Sequence, residues 1–236
     1  MDPEWRRRVK LGYDQRDPKP DASEAVAPYR HPRKILGIGL NYKRHADALG
    51  AEYPTSPASF LKGDHTIIGP GESIVLPPMS HRVTSEAEIG LVIGRTCYEV
   101  EAADALGYVV GIVPVLDQTA EDILRENPRF LTRAKNFPTF FVFGPEILTL
   151  DDLAQADLSE VRVATYRNGA LAHENVVANM LFAPAELVAF HSKVMPLYPG
   201  DIISSGTPGA VEIVPGDIVE CRIDGVGVLR AGVTST

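Results

Sequence analysis

The ten residues Ser85–Gly94, SEAEIGLVIG, constrain the fold of this chain more than any other segment. Their alternating pattern predicts a β-strand, because successive side chains of a strand point to opposite faces. Glu86 and Glu88 then share one face, roughly 6–7 Å apart. Two carboxylates held side by side on a half-buried strand repel each other and lose hydration, and a divalent cation would relieve both costs. The opposite face is apolar and consists of Ala87, Ile89, Leu91 and Ile93.

The composition indicates a globular protein. The chain has 236 residues, of which 44% are hydrophobic and 23% charged, so it can bury a full core. A net charge of -8 argues against a nucleic-acid or membrane partner. No apolar run is long enough for a membrane span, no secretory leader is apparent, and Cys97 and Cys221 have no metal or redox spacing. We therefore expect a cytoplasmic protein with reduced thiols.

The chain divides into an irregular, proline-bearing arm over residues 1–33 and a single domain over residues 34–236. In the domain, short strands outnumber helices and are joined mostly by tight turns. The apolar run 108–118 predicts a strand buried on both faces, and Asn168–Gly169 predicts a hairpin turn. This pattern favours a strand-rich α+β fold with antiparallel or mixed sheets, arranged as a roll or sandwich.

Asp117 ends the buried apolar run and is the third acid of interest. It has two interpretations, because an aspartate before a helix is also a good N-cap. Glu86 and Glu88 likewise have a simpler interpretation as acids on the solvated face of a sheet. If the three carboxylates do bind a metal, the absence of paired Cys or His ligands favours Mg²⁺ or Mn²⁺ over zinc.

Seven motifs in order make the chain similar to the fumarylacetoacetate hydrolase family, from about Lys34 to about Arg230. The resemblance implies a mixed β-roll of the type of that family's C-terminal domain, usually a homodimer. The motifs are GLNYxxHA (Gly39–Ala46), FLK (Phe60–Lys62), EAEIGLVIG (Glu86–Gly94), VLDQTA (Val115–Ala120), RAK-F-TF-GP (Arg133–Pro145), PGD-I-SGTP (Pro199–Pro208) and PGD-VE (Pro215–Glu220).

The resemblance implies that Glu86, Glu88 and Asp117 are ligands of Mg²⁺ or Mn²⁺. Substrates of the family are 2-oxo acids or β-dicarbonyl compounds, whose adjacent oxygens chelate the ion. The metal stabilises the enolate that forms when a carbon–carbon bond breaks or a proton moves.

Three further residues match positions near the substrate in the family. The resemblance implies that Lys135 is a catalytic residue that contacts substrate oxygens, that Thr207 binds near the substrate carboxylate, and that Lys62 is a substrate-binding residue near the site. From the residues alone, Lys135 also fits a surface cation and Thr207 also fits a turn position.

His45 is the histidine inside a family motif and is the candidate general base. Lytic members often carry a glutamate three residues later, where this chain has Ala48. Glu52, or an acid within residues 121–126, would have to replace it. Glu121 stands where the family frequently has arginine, and it would repel an anionic substrate group unless it pairs with Arg125.

Three functions follow. The first, which is the family default, is metal-dependent hydrolytic C–C cleavage of a small 2-oxo or β-dicarbonyl acid. The second is a metal-dependent decarboxylase or keto–enol isomerase of 2-oxo dicarboxylic acids, which needs no attacking water and is favoured by Ala48. The third is a catalytically inactive metal-binding homologue. We also expect the segments Asn41–Pro57 and Thr119–Pro138 to form a lid over the site.

Overall fold

The computed structural model describes residues 31–151 and 157–235. The predicted arm of residues 1–33 lies almost wholly outside the described residues, so that prediction is not tested. Within the described part of the chain, no helix combines the length and apolar character needed to cross a bilayer.

The fold is strand-rich, as the sequence predicts, and its helices are short. The strands are β1 Ile35–Gly39, β2 Ala58–Lys62, β3 Ile67–Ile68, β4 Ser73–Leu76, β5 Val83–Ile93, β6 Val109–Ala120, β7 Phe141–Phe143, β8 Leu148–Thr149, β9 Arg162–Arg167, β10 Ala170–Val176, β11 Ile202–Ser204, β12 Ala210–Ile213, β13 Ile218–Ile223 and β14 Gly227–Ser235. The α-helices are α1 Lys43–Leu49, α2 Ala102–Ala105, α3 Glu121–Glu126, α4 Leu131–Lys135 and α5 Pro184–Val194.

The strands form two mixed sheets. The larger has nine strands in the order β2-β1-β11-β5-β6-β7-β3, with β12 added to β5 and β8 added to β6. The smaller has five strands in the order β10-β9-β13-β14-β4. Most neighbours are antiparallel, while β1 with β11, β3 with β7 and β4 with β14 are parallel. Strands β5 and β6 form the longest pair and lie at the centre of the larger sheet.

The main core lies between the two sheets. The odd-numbered face of β5 points into it, where Ile89 and Leu91 pack in one cluster with Val219 and Leu229 of the smaller sheet. This confirms the predicted alternation. The strand is more deeply placed than expected, because all of Val83–Ile93 is buried on both faces. The acids Glu86 and Glu88 therefore do not lie on a solvated face.

Local signals also predict the elements that flank the site. Helix α1 ends at Gly50, whose φ of 62° requires the left-handed conformation that glycine adopts readily. The hairpin between β9 and β10 turns at Asn168–Gly169, where both residues have positive φ. Strand β6 is fully buried and continues to Ala120, and α3 starts only at Glu121. The N-cap interpretation of Asp117 is therefore excluded.

The core between the sheets should limit the stability of the whole domain. Ile89→Ala removes a fully buried side chain and should lower the free energy of unfolding by about 2–5 kcal/mol. Val228→Ala, at a position that is 49% exposed on β14, should change it by less than about 0.5 kcal/mol. Urea unfolding followed by circular dichroism measures both, and equal losses would contradict this placement of the core.

Candidate active site

The three acids meet on one face of the larger sheet. Glu86 and Asp117 are directly opposed across β5 and β6, and Glu88 follows on the same face of β5. One carboxylate oxygen from each residue lies within 4.8 Å of the others. Glu86 is 9%, Glu88 2% and Asp117 0% exposed. The paired strands thus hold three buried carboxylates close enough together to coordinate a single ion.

Hydrogen bonds fix the orientation of the two glutamates. Glu88 Oε2 accepts from Ser204 Oγ at 2.5 Å and from the backbone N–H of Gly206 at 2.9 Å. Glu86 Oε1 accepts from Thr119 Oγ1 at 2.7 Å. These donors come from β11, the following turn and β6, so the main sheet and the loop beside it position the carboxylates before any ligand binds.

Two buried lysines compensate part of the negative charge. Lys135 Nζ lies 3.0 Å from both Glu86 Oε2 and Asp117 Oδ2. Lys62 Nζ lies 2.6 Å from Asp117 Oδ1. Neither lysine pairs with Glu88, whose described partners are neutral donors.

Because the lysines pair with Asp117 and Glu86 but not with Glu88, the pKa values of Asp117 and Glu88 shift in opposite directions. Burial raises the pKa of Glu88 to about 8, with a further contribution from Asp117. Burial also acts against ionised Asp117, but Lys135 and Lys62 outweigh it and hold its pKa below the ordinary value. Burial opposes the charge of Lys135 as well, yet Asp117 and Glu86 raise its pKa above its usual range. Burial lowers the pKa of Lys62, although Asp117 opposes that shift.

The cluster fits a hard divalent cation. All three ligands are carboxylates, which Mg²⁺ and Mn²⁺ prefer, and the described residues place no cysteine or histidine within the cluster. Glu88 in particular is buried without a cationic partner, a situation that a bound ion would relieve. The donor set and its charge therefore agree with the predicted metal site.

A cavity of about 660 Å³ opens beside the cluster. Glu86, Lys135 and Thr207 line it together with His45 and Ala48 of α1. The two segments predicted to form a lid, Asn41–Pro57 and Thr119–Pro138, both contribute wall residues. The structure thus brings most of the candidate residues to one cavity, while the closing movement of the lid stays a prediction.

Lys62 and Thr207 have different surroundings. Lys62 is buried against Asp117 and is not among the residues that line the cavity, so the structure gives it a charge-compensating contact. Thr207 lines the cavity, and its Oγ1 donates to the Gly209 carbonyl at 3.0 Å and accepts from the Gly209 N–H. Substrate contact by either residue stays a prediction.

His45 lies on the cavity wall, and no residue within 31–151 or 157–235 orients its ring by a hydrogen bond. Burial lowers its pKa, an effect that Glu86 opposes and His173 reinforces. Ala48, one turn further along α1, lines the same wall with a methyl group. Among the described residues, no acid therefore contacts the His45 ring in place of the glutamate that is absent at Ala48.

The charged residues of the outer cavity are paired. Arg125 Nε lies 3.0 Å from Glu121 Oε1, which confirms the predicted pairing within α3. Arg82 Nε likewise lies 3.0 Å from Glu212 Oε2.

His173 of β10 is a cavity residue that the sequence motifs missed. Its Nε2 lies 3.1 Å from the Ala210 carbonyl oxygen. No local pattern marks it, because only the packing of β10 beside β12 brings it to the site.

Comparison with known proteins agrees with this geometry. Residues 34–234 match the family model described as fumarylacetoacetate (FAA) hydrolase C-terminal. The mitochondrial oxaloacetate tautomerase Fahd2a of Rattus norvegicus is 34% identical over 212 residues, which are 86% of this chain and 67% of that protein.

Two solved structures share the fold. A 5-carboxymethyl-2-hydroxymuconate delta-isomerase from Mycobacterium smegmatis superposes with a TM-score of 0.81 at 36% identity, over 90% of this chain and 82% of that one. Maleylpyruvate hydrolase from Sphingobium sp. SYK-6, in complex with manganese(II) and pyruvate, gives a TM-score of 0.77 at 30% identity, over 89% and 73% of the two chains.

The protein is a strand-rich domain with a buried carboxylate cluster, of which Glu86 lines the cavity while Glu88 and Asp117 lie behind it, outside the set of lining residues. The chain belongs to the fumarylacetoacetate hydrolase family. Its relatives include isomerases, tautomerases and hydrolases, and one of them binds manganese. The acidic cluster and this relative together indicate a divalent metal.

Metal binding should stabilise the folded protein. At a free Mn²⁺ or Mg²⁺ concentration 100 times the Kd, the gain is about 2.7 kcal/mol, which raises the Tm of a chain this size by roughly 5–10 °C. Glu88→Gln keeps an acceptor for Ser204 and Gly206 but removes the charge, so it should abolish the shift. Differential scanning fluorimetry measures both. Glu146→Gln, at an exposed position outside the cavity, should retain the wild-type shift; a wild-type Tm that ignores both metals would count against the site.

Proposed function

We propose that this protein is a Mg²⁺- or Mn²⁺-dependent keto–enol isomerase of a small 2-oxo acid. The observation that carries the proposal is the isolated His45, which faces the cavity beside the carboxylate cluster and Lys135 but has Ala48 where an acid would orient it. The site therefore has a base and a cluster suited to a metal, without the dyad suited to activating water. The names of the tautomerase and isomerase relatives support the same choice.

Glu86, Glu88 and Asp117 would hold the ion. When bound, the metal supplies Lewis-acid stabilisation of negative charge on the 2-oxo oxygen. Lys135 remains protonated because Asp117 and Glu86 raise its pKa, so its ammonium group is a hydrogen-bond donor for substrate oxygens. Thr207 adds a polar group on the same wall.

His45 is the proposed proton carrier. Burial lowers its pKa, so the ring is neutral near pH 7 and accepts a proton from C3 of the substrate. The electrons of the broken C–H bond form the C2–C3 double bond, and the negative charge moves to the C2 oxygen. Transfer of the proton from the His45 imidazolium to that oxygen gives the enol and returns His45 to its neutral form. The reverse order returns the keto form, and no water is consumed.

Hydrolytic C–C cleavage is the second candidate, and the similarity to maleylpyruvate hydrolase favours it. It requires an activated water, and the acids whose charge acts on the His45 ring are Glu86 and Glu121. Glu86 belongs to the cluster, and Glu121 is paired with Arg125. Decarboxylation needs the metal and an acid or base but no attacking water, and it is the third outcome that product analysis separates.

Proton exchange at C3 separates these reactions. In D₂O with Mn²⁺, we expect the protein to accelerate deuteration of pyruvate and oxaloacetate at C3 without cleavage, as followed by NMR and mass spectrometry. His45→Gln should slow exchange by about 10²-fold or more while keeping the metal-dependent rise in Tm. His81→Gln, an exposed histidine outside the cavity, should match wild type.

The products decide between the candidates. Two acids from an acylpyruvate would establish hydrolysis, and pyruvate with CO₂ from oxaloacetate would establish decarboxylation. Exchange in His45→Gln that equals wild type would remove His45 from the mechanism.

The lowered pKa of His45 predicts the pH dependence of exchange. His45 must be unprotonated to accept a proton. Because its pKa is lowered, the ring is still largely unprotonated at a pH of about 6.5, the ordinary pKa of histidine. The acid limb of kcat/KM should therefore lie below pH 6.5. The charged groups that act on this ring are Glu86, Glu121, Lys135 and His173. Stopped-flow assays at saturating Mn²⁺ measure the limb, and an inflection above pH 7 would contradict the assignment.

A further inference from the structure

The part of the cavity away from the carboxylate cluster indicates which side group the substrate has. A cavity of about 660 Å³ is far larger than a 2-oxo acid head group such as oxalate, so it has room for a side group. The cluster lies on β5 and β6, whereas much of the remaining wall comes from α1, α3 and α4 with the loops beside them. Besides His45 and Lys135, which the proposed function uses, these segments carry Leu49, Leu124 and Leu131, so they also border the space beyond the head group.

Each of the helices α1, α3 and α4 contributes a leucine to the cavity wall. Leu49 ends α1, Leu124 lies in α3 and Leu131 begins α4. Leu49 is 49% exposed, so it is accessible to a ligand in the cavity. The other apolar residues of the cavity wall are Ile38, Leu40, Ala48, Ala51, Ala58, Phe60, Pro128 and Ala210.

The described wall offers no unpaired cation for a second carboxylate. The guanidinium of Arg125 pairs with Glu121, and that of Arg82 pairs with Glu212. Lys135 is engaged by Glu86 and Asp117. Each arginine uses its Nε–H in its contact with the glutamate, so an anionic end group that bound the η nitrogens would lie beside the carboxylate of Glu121 or Glu212, whose charge opposes it.

We propose that this site selects 2-oxo acids whose far end is an apolar alkyl or aryl group. The inference rests on the proposed function only for the head group, which the metal and Lys135 bind. Each methylene moved from water onto an apolar wall contributes about fourfold in affinity. A carboxylate at the same place loses hydration, and the two arginines near it are already paired with glutamates.

A matched pair of ligands tests the proposal on the Mn²⁺-loaded protein. 2-Oxohexanoate and 2-oxoadipate have the same length and head group, but the first ends in a methyl group and the second in a carboxylate. Isothermal titration calorimetry at constant ionic strength should give a Kd for 2-oxohexanoate at least tenfold lower than for 2-oxoadipate. It should also be at least tenfold lower than for pyruvate.

Leu49→Lys places a cation on the wall at an exposed position. It should weaken 2-oxohexanoate binding and strengthen 2-oxoadipate binding, so that the preference shrinks at least fivefold. Val228→Lys introduces the same change at a residue that is also 49% exposed but lies on β14, outside the cavity. It should leave both affinities unchanged.

Pyruvate separates failure of this inference from failure of the proposed function. If pyruvate binds only with Mn²⁺ present while 2-oxoadipate binds as tightly as 2-oxohexanoate, the apolar preference is wrong and the head-group site stands. If none of the three acids binds the Mn²⁺-loaded protein, both proposals are overturned. An equal effect of Leu49→Lys and Val228→Lys would also overturn the placement of the apolar end.

Discussion

The burial of three carboxylates on one sheet face is the constraint on which the rest of the site depends. Two ionised carboxylates at 4.8 Å, the largest separation in the cluster, would repel by on the order of 3 kcal/mol at an effective dielectric constant of 20. Burial and the charge of Asp117 accordingly raise the pKa of Glu88 to about 8. Lys62 and Lys135 offset this repulsion for Asp117 and Glu86, but Glu88 has only neutral donors. Carboxylates that are buried close together and held in place by hydrogen bonds are typical of a metal centre.

The sheet architecture explains how the chain sustains that cost. The odd-numbered residues of β5 pack against the smaller sheet, and their apolar contacts fix the strand that carries Glu86 and Glu88. The in-register pairing with β6 then places Asp117 opposite Glu86. The helices α1, α3 and α4 surround the cavity and carry His45 and Lys135 as well as Leu49, Leu124 and Leu131. The sheet thus carries the carboxylates, while the helices carry the proposed base and the apolar residues.

The sequence predicts the parts of this site that local periodicity controls. Alternation places Glu86 and Glu88 on one face, and the i,i+4 spacing predicts the Glu121–Arg125 pair. The resemblance then selects the cluster from among the acids. The contact of Lys62 with Asp117, the presence of His173 in the cavity and the pairing of Arg82 with Glu212 are not predictable in this way. Each joins segments that are distant in sequence, and only the packed sheets determine which residues meet.

A crystal structure of the protein with Mn²⁺ and oxalate would show directly whether the three acids bind the ion. We expect one anomalous difference peak per chain, coordinated by oxygen atoms of Glu86, Glu88 and Asp117, with oxalate bound to the ion and in contact with Lys135. A manganese ion located elsewhere, or a cluster that stays ion-free at saturating Mn²⁺ with Lys135 still joining Glu86 to Asp117, would contradict it.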